Sequence, residues 1–162
     1  MIDWAPYFVY DKKGKEGEKS MSKKALIVYF TTTGNTQMLA ESIEEGLELS
    51  GAEVVLKNVS DATSDEVTDY DLIALGCPAQ GTEELDDTEF GPYFEETLPN
   101  LEGKNVILFG CYGWGDGEFM ETWKETATEG GVNVVETFIN LETPDQEALD
   151  EAKALGERFA AV

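Results

Sequence analysis

The sequence predicts an α/β fold, a doubly wound, five-stranded parallel sheet in the strand order 2-1-3-4-5 with helices on both faces. Three observations lead there. Apolar runs alternate with amphipathic helical stretches along most of the 162-residue chain. Three of those runs, "KALIVYF", "DLIALGC" and "NVILFGC", are continuously apolar, as strands covered on both faces require. The loops 31–36, 78–89 and 112–118 follow strands one, three and four, and a sheet of this order brings them together beyond its carboxyl ends.

Taken in order, the first strand covers 24–30 and leads through "TTTGNT" into a helix over 36–50. Leu39, Ile43 and Leu47 form its apolar stripe, Glu41, Glu44, Glu45 and Glu48 lie mostly off it, and Gly51 stops it. "EVVLKNV" (53–59) is the second strand, followed by a polar stretch with at most a short helix near 63–67. The third strand covers 71–77, and Phe90, Tyr93, Phe94 and Leu98 then mark a helical face. The fourth strand covers 105–111 and precedes a helix with Phe119, Met120, Trp123 and Ala127 on one side. "VNVVETF" (132–138) is the fifth strand, and Pro144 opens a last helix striped by Leu149, Ala152, Leu155 and Phe159.

This domain covers residues 21–162, and residues 1–20 read as an amino-terminal extension of different composition. The extension holds four basic and four acidic residues, so the remainder carries the whole acidic excess. An upstream start or a fused peptide is one reading of it. A docking element is another, because Trp4, Tyr7, Phe8 and Tyr10 form an apolar cluster.

Composition narrows the chemistry. The chain has no His, so a conventional zinc site, a Ser-His pair and a Cys-His pair are excluded. Cys77 and Cys111 are 34 residues apart and each ends a strand, which reads as reduced, half-buried packing rather than a redox dithiol. No apolar run reaches the roughly 20 residues of a membrane span, and no basic-then-apolar leader opens the chain, so a cytoplasmic protein is expected. With 34 acidic against 11 basic residues and a net charge of -23, the surface repels nucleic acid and anionic lipid and steers towards basic proteins.

The loops supply a site. Thr31, Thr32, Thr33, Gly34, Asn35 and Thr36 join a strand to a helix N-terminus, where free N–H groups and hydroxyls suit an anion. No lysine accompanies them, so the loop suits a phosphate held in place rather than one being transferred. A strand-to-helix turn with an ordinary cap is the plainer reading. "YGWGDG" sets Trp114 between glycines, most simply as a wall for a flat ligand, where Trp123 belongs to a core stripe. The middle loop adds Gly81, whose neighbouring peptide can rotate freely, and the carboxylates Glu83, Glu84, Asp86, Asp87 and Glu89.

"YFTTTGNT", "LGCPAQGTEELDD" and "GCYGWGDGEFMETW" together resemble the three flavin-binding loops of flavodoxins, in the short-chain clostridial-type branch, over about Lys23 to Val162. The resemblance implies a flavodoxin-like sheet, non-covalently bound FMN and one-electron transfer between proteins. It implies that Thr31, Thr32, Thr33, Gly34, Asn35 and Thr36 hold the FMN phosphate, that Trp114 stacks on the outer ring face, and that the Gly81 carbonyl turns towards the flavin N5–H on reduction. Glu83 matches an acceptor for the ring N3–H, and Asp116 and Gly117 would lie along the pyrimidine edge. Pro78, Ala79, Gln80, Thr82, Cys111, Tyr112, Gly113 and Gly115 complete the matching set. Gln80 and Pro78 depart from the common Met and Ser, and the stretch "INLET" yields no assigned contact.

That resemblance gives the acidity a use. One carboxylate about 10 Å from a reduced, anionic flavin opposes it by about 1–2 kcal/mol at an effective dielectric near 20. Several carboxylates then depress the second potential by on the order of 100 mV, given about 59 mV per 1.4 kcal/mol for one electron. Carboxylates in 82–89 and 116–125 are also expected to ring the exposed flavin edge and receive basic-faced reductases and acceptors. The expected protein is a low-potential, monomeric electron carrier with no catalytic residue. The alternatives are a flavin-dependent NAD(P)H:quinone reductase of the same fold and a flavin-free receiver domain. The first needs a second pocket and usually longer loops; the second needs an acidic cluster where Tyr29-Phe30-Thr31 stands.

Overall fold

The computed structural model describes residues 23–79, 84–113 and 116–162. The expectations for residues 1–20 and for Gln80, Gly81, Thr82, Glu83, Trp114 and Gly115 therefore lie outside the described residues.

Five parallel strands, β1 (Lys24–Tyr29), β2 (Glu53–Asn58), β3 (Leu72–Gly76), β4 (Asn105–Tyr112) and β5 (Asn133–Leu141), lie in the order β2-β1-β3-β4-β5. The helices are α1 (Asn35–Leu49), α2 (Phe90–Thr97), α3 (Glu118–Glu129) and α4 (Gln146–Ala160). β1 and β3 are buried almost throughout because they sit between neighbours and under helices, whereas the edge strand β2 alternates between exposed and half-buried positions. The period-2 geometry of a strand splits each one between two cores. Leu26 and Val28 pack with Phe90, Phe94, Phe119 and Trp123 of α2 and α3; Ile27 and Tyr29 pack with Leu39, Ile43, Leu155 and Phe159 of α1 and α4. Each such large side chain contributes roughly 1.5–3 kcal/mol on burial.

On the α1–α4 face the two helices meet through glycine. A Cβ on Gly46 would collide with the Lys153 carbonyl, and one on Gly156 with the Ile43 carbonyl, so the backbones touch with no side chain between them. That contact fixes α1, and with it the loop at its N-terminus.

Several boundaries differ from expectation for physical reasons. The polar stretch after β2 holds two 3-10 turns, Val59–Asp61 and Glu66–Asp69, rather than one short helix near 63–67. They are pinned by Asn58 accepting from the Ser60 N–H and by Glu66 accepting from the Thr63 N–H. β5 runs on to Leu141 because it stays paired with β4 as far as Tyr112. α4 starts at Gln146, where the Asp145 side chain accepts from the Ala148 N–H at 2.9 Å, two residues beyond Pro144. Cys77 and Cys111 are buried rather than half-buried. Burial pushes their thiols up to about 12 and about 11, which leaves them inert packing residues.

Candidate functional site

Beyond the carboxyl ends of the strands lies a cleft of about 390 Å³ lined by Thr32, Thr33, Asn35, Pro78, Ala79, Cys111, Tyr112, Gly113, Glu142 and Thr143. The fold assembles it directly. Phe30 donates to the Gly76 carbonyl, and Ala79 to the Cys111 carbonyl, so the segments after β1, β3 and β4 continue the sheet's spacing as they leave it. All three loops anticipated from sequence thus meet, through those of their residues that are described.

The threonine loop is built for donation. Gly34 adopts φ 92°, a left-handed conformation that turns the chain into α1. The Gly34 N–H donates to Thr31 Oγ1 at 2.9 Å, and the Asn35 N–H to Thr33 Oγ1 at 3.4 Å. Because these hydroxyl oxygens accept from the backbone, each O–H remains available to donate outward. Thr32 and Thr33 are exposed on the cleft wall. Thr36 behaves differently from its neighbours. It is 1% exposed, lies outside the cleft lining, and its hydroxyl faces the Cys111 sulfur without a well-formed hydrogen bond.

The helix starts at this rim are not equivalent. That of α2 is filled by Asp86, whose carboxylate accepts from the Glu89 and Phe90 N–H groups at 2.7 and 2.9 Å. That of α4 is filled by Asp145, and α3 carries Glu118 and Glu121 in its first turn. α1 has no side-chain cap and no acidic residue in its first turn. An anion at this end of the sheet is therefore favoured at α1 over the other three.

Asp86 is a correction to the expectation that the carboxylates of 82–89 ring the flavin edge. It is 7% exposed and serves α2. Burial alone would raise its pKa, but the hydrogen bonds from Phe90, Glu89 and Thr88 pull it below the usual carboxylate value. Glu84 and Asp87 line a separate groove between α2 and α3 with it, not the threonine-loop cleft. Asp116 is exposed, and Gly117, at φ 77°, is buried where a Cβ would come within 2.5 Å of Ile139 Cδ1.

Glu142 and Thr143 belong to the "INLET" stretch, for which the sequence yielded no assigned contact. Glu142 has φ 58°, donates its N–H to the Tyr112 carbonyl at 2.8 Å, and accepts at its carbonyl from Asn140 Nδ2 at 3.0 Å. The signal was topological. In a 2-1-3-4-5 sheet β5 neighbours β4, so the loop after β5 borders the same rim.

A cleft of this size, with neutral donors and an uncapped helix start, fits a phosphate-bearing group of moderate size. The comparisons with known proteins say which. The flavodoxin family profile matches residues 27–156. The chain belongs to the flavodoxin family. It is 45% identical to the flavodoxin of Megasphaera elsdenii over 134 residues, covering 83% of this chain and 96% of that one. It is 41% identical to the flavodoxin of Clostridium beijerinckii over 136 residues, covering 84% and 99%. Both relatives are of the clostridial type. The solution structure of two-electron reduced Megasphaera elsdenii flavodoxin superimposes with a TM-score of 0.79 at 43% identity, over 85% of this chain and 99% of that one. The flavodoxin is accordingly an FMN-binding electron carrier rather than an enzyme, and the reductase alternative draws no support from these relatives. Among the described residues no helix is long and apolar enough to cross a membrane.

Proposed function

We propose that this flavodoxin holds the FMN phosphate at the α1 start, through the Thr32 and Thr33 hydroxyls and the first N–H groups of the helix. The observation that carries this reading is α1's uncapped, acid-free N-terminus opening on a cleft lined by hydroxyls. FMN, when bound, supplies the reversible uptake of one electron at a time. The chain's own residues then set where the group sits and what surrounds it. Thr31 and Thr33 accept from the loop's backbone and so hold their O–H groups ready to donate. Ala79, Tyr112 and Gly113 bound the far side of the cleft, and Glu142 and Thr143 close its third wall.

On the sequence resemblance, Trp114 would cover the outer face of the ring, the Gly81 carbonyl would accept from the ring N5 edge, Glu83 would accept from the ring N3 edge, and Asp116 and Gly117 would border the ring edge. Gln80, Thr82, Gly115 and Cys111 belong to the same loops, and Pro78 stands near the sugar chain. The protein works as a low-potential monomer in the cytoplasm, and its partners are basic-faced reductases and acceptors drawn by a net charge of -23. The 21–162 domain carries this function.

An anaerobic reductive titration of the FMN-loaded protein, followed by absorbance, tests the reading. Uptake in two separated one-electron steps, with a long-wavelength band at the midpoint, is expected. Direct bleaching in one two-electron step would contradict the roles given to Gly81 and the carboxylates.

A further inference from the structure

The groove between α2 and α3 stands apart from the cleft and shares no lining residue with it. It encloses about 280 Å³ and is lined by the first turns of both helices, at Gly91 and Phe119, and by the segment 84–87. Floor and rim differ in chemistry. The floor includes Phe94, Phe119 and Trp123, all buried. Trp123 is held edge-on by Phe90 and Phe94, and its Nε1–H has no hydrogen-bond partner among the described residues. The rim carries Glu84, Asp87 and Glu95, all exposed, with no Lys or Arg among the described lining residues. Elsewhere Glu66 pairs with Lys57 at 2.7 Å and Glu136 with Arg158 at 2.6 Å. None of the three rim carboxylates makes such a pair among the described residues.

We propose that this groove is the docking pocket for a redox partner protein, which seats there an apolar side chain flanked by lysines or arginines. The proposal deepens the reading of basic-faced partners given above and rests on it. Attraction to a net charge of -23 draws a basic protein towards every face of the chain. The groove adds what charge alone does not supply, an apolar seat that fixes position. A Phe or Leu side chain leaves water against the aromatic floor, and its flanking cations meet the unpaired carboxylates of the rim. The partner's peptide carbonyls are the kind of acceptor that the floor lacks. A second copy of this chain carries the same acidic charge and is repelled. The location suits electron transfer. Glu84 stands three residues after Gly81 in sequence, so a partner seated here adjoins the loop that the resemblance assigns to the flavin.

The test is an amide-resolved NMR titration of the full chain, with and without FMN, against two pentapeptide amides of equal charge, Lys-Lys-Phe-Lys-Lys and Lys-Lys-Gly-Lys-Lys. The first should shift the amides of Asp87, Gly91, Glu95, Thr122 and Thr126 most, and bind about tenfold more tightly than the second. Thr126→Trp fills the groove without changing charge and should remove that advantage. Asp87→Lys with Glu95→Lys should weaken the first peptide about tenfold. Glu41→Lys with Glu48→Lys makes the same change of charge on α1, across the sheet, and should weaken it only about twofold. Equal affinity for the two peptides, shifts centred on another face, or equal losses in the two charge reversals would leave general attraction alone and overturn the pocket. Shifts that grow with protein concentration before peptide is added would place a second copy there and overturn it too. The same spectra report FMN loading at the threonine loop, so a failed pocket is told apart from a failed flavin site.

Discussion

The two ends of the same sheet treat charge in opposite ways. The carboxyl end holds the cleft, with hydroxyls, backbone groups and one carboxylate, Glu142, and no Lys or Arg among its described lining residues. The amino end holds a larger cavity of about 520 Å³, lined by Lys23, Asp71, Leu72, Gly103, Lys104, Asn105 and Val162. Judged by cations alone, the amino end would be the phosphate site. Its lysines already serve the fold, however. Lys23 Nζ donates to the Val162 carbonyl, Lys104 Nζ donates to the Tyr70 carbonyl at 2.9 Å, and Lys24 Nζ lies 5.9 Å from the centre of the Tyr70 ring. Helices in a parallel α/β sheet also direct their N-termini to the carboxyl end. On the proposed reading, backbone dipoles and free hydroxyls rather than formal charge select the anion site.

The largest expected effect comes from breaking the neutral donors. Replacing Thr32→Ala and Thr33→Ala together removes two hydrogen bonds to a charged group at roughly 1.5 kcal/mol or more each, and so weakens FMN binding about 100-fold. Riboflavin, which lacks the phosphate, should bind the variant as it binds the parent. Fluorescence titration of both ligands checks this, and equal losses for the two would show that the loop does not hold the phosphate. Lys104→Met, at the opposite end, should leave FMN affinity unchanged.

A second change strikes the frame that positions α1. Gly46→Ala forces α1 away from the Lys153 carbonyl and should lower unfolding stability by about 2–3 kcal/mol, as overpacking does. Urea denaturation of the apoprotein measures it; a cost near zero would mean the helix contact is not what fixes the rim.

Smaller still is the contribution of the filled α2 start. Asp86→Asn should cost about 1–2 kcal/mol at neutral pH. The folded pKa of Asp86 is depressed, so its contribution is present above the unfolded carboxylate value and is lost as pH falls through the folded one. The difference between parent and variant should therefore shrink in acid. A gap that stays constant down to strongly acidic pH would remove the charge from the explanation.

Salt gives the smallest and most telling effect. A lysine-based phosphate site weakens as salt screens it. Here a phosphate approaches a chain of net charge -23, so FMN affinity should rise by about twofold as the Debye length falls from about 30 to about 8 Å. A fall would point to cations at the site.

Most of the fold was legible because buried parallel strands leave continuous apolar runs. β1, β3 and β4 announce themselves that way, and Gly51 and the Leu39-Ile43-Leu47 stripe bound α1. The cleft was legible where a loop had unusual composition, since Thr32, Thr33 and Asn35 line it. It was not legible where a lining residue is set by position alone. Nothing in the composition of Glu142 and Thr143 marks them; β5 pairing out to Leu141 brings them to the rim. Asp86 failed the other way. Sequence shows one carboxylate among five, and only the fold shows it turned inward onto the Glu89 and Phe90 N–H groups. Thr36 likewise shares its loop's composition but is rotated beneath it by the first turn of α1.

The most direct test of the claim that neutral donors at the carboxyl end hold the phosphate is an amide-resolved NMR titration of the full chain with FMN. The account predicts the largest shifts at the amides from Thr32 to Gln37, with further shifts at Ala79, Tyr112, Gly113, Glu142 and Thr143, and none at Lys24, Asp71 or Lys104. Shifts centred on the amino-end lysines, or an unmoved threonine loop, would contradict it.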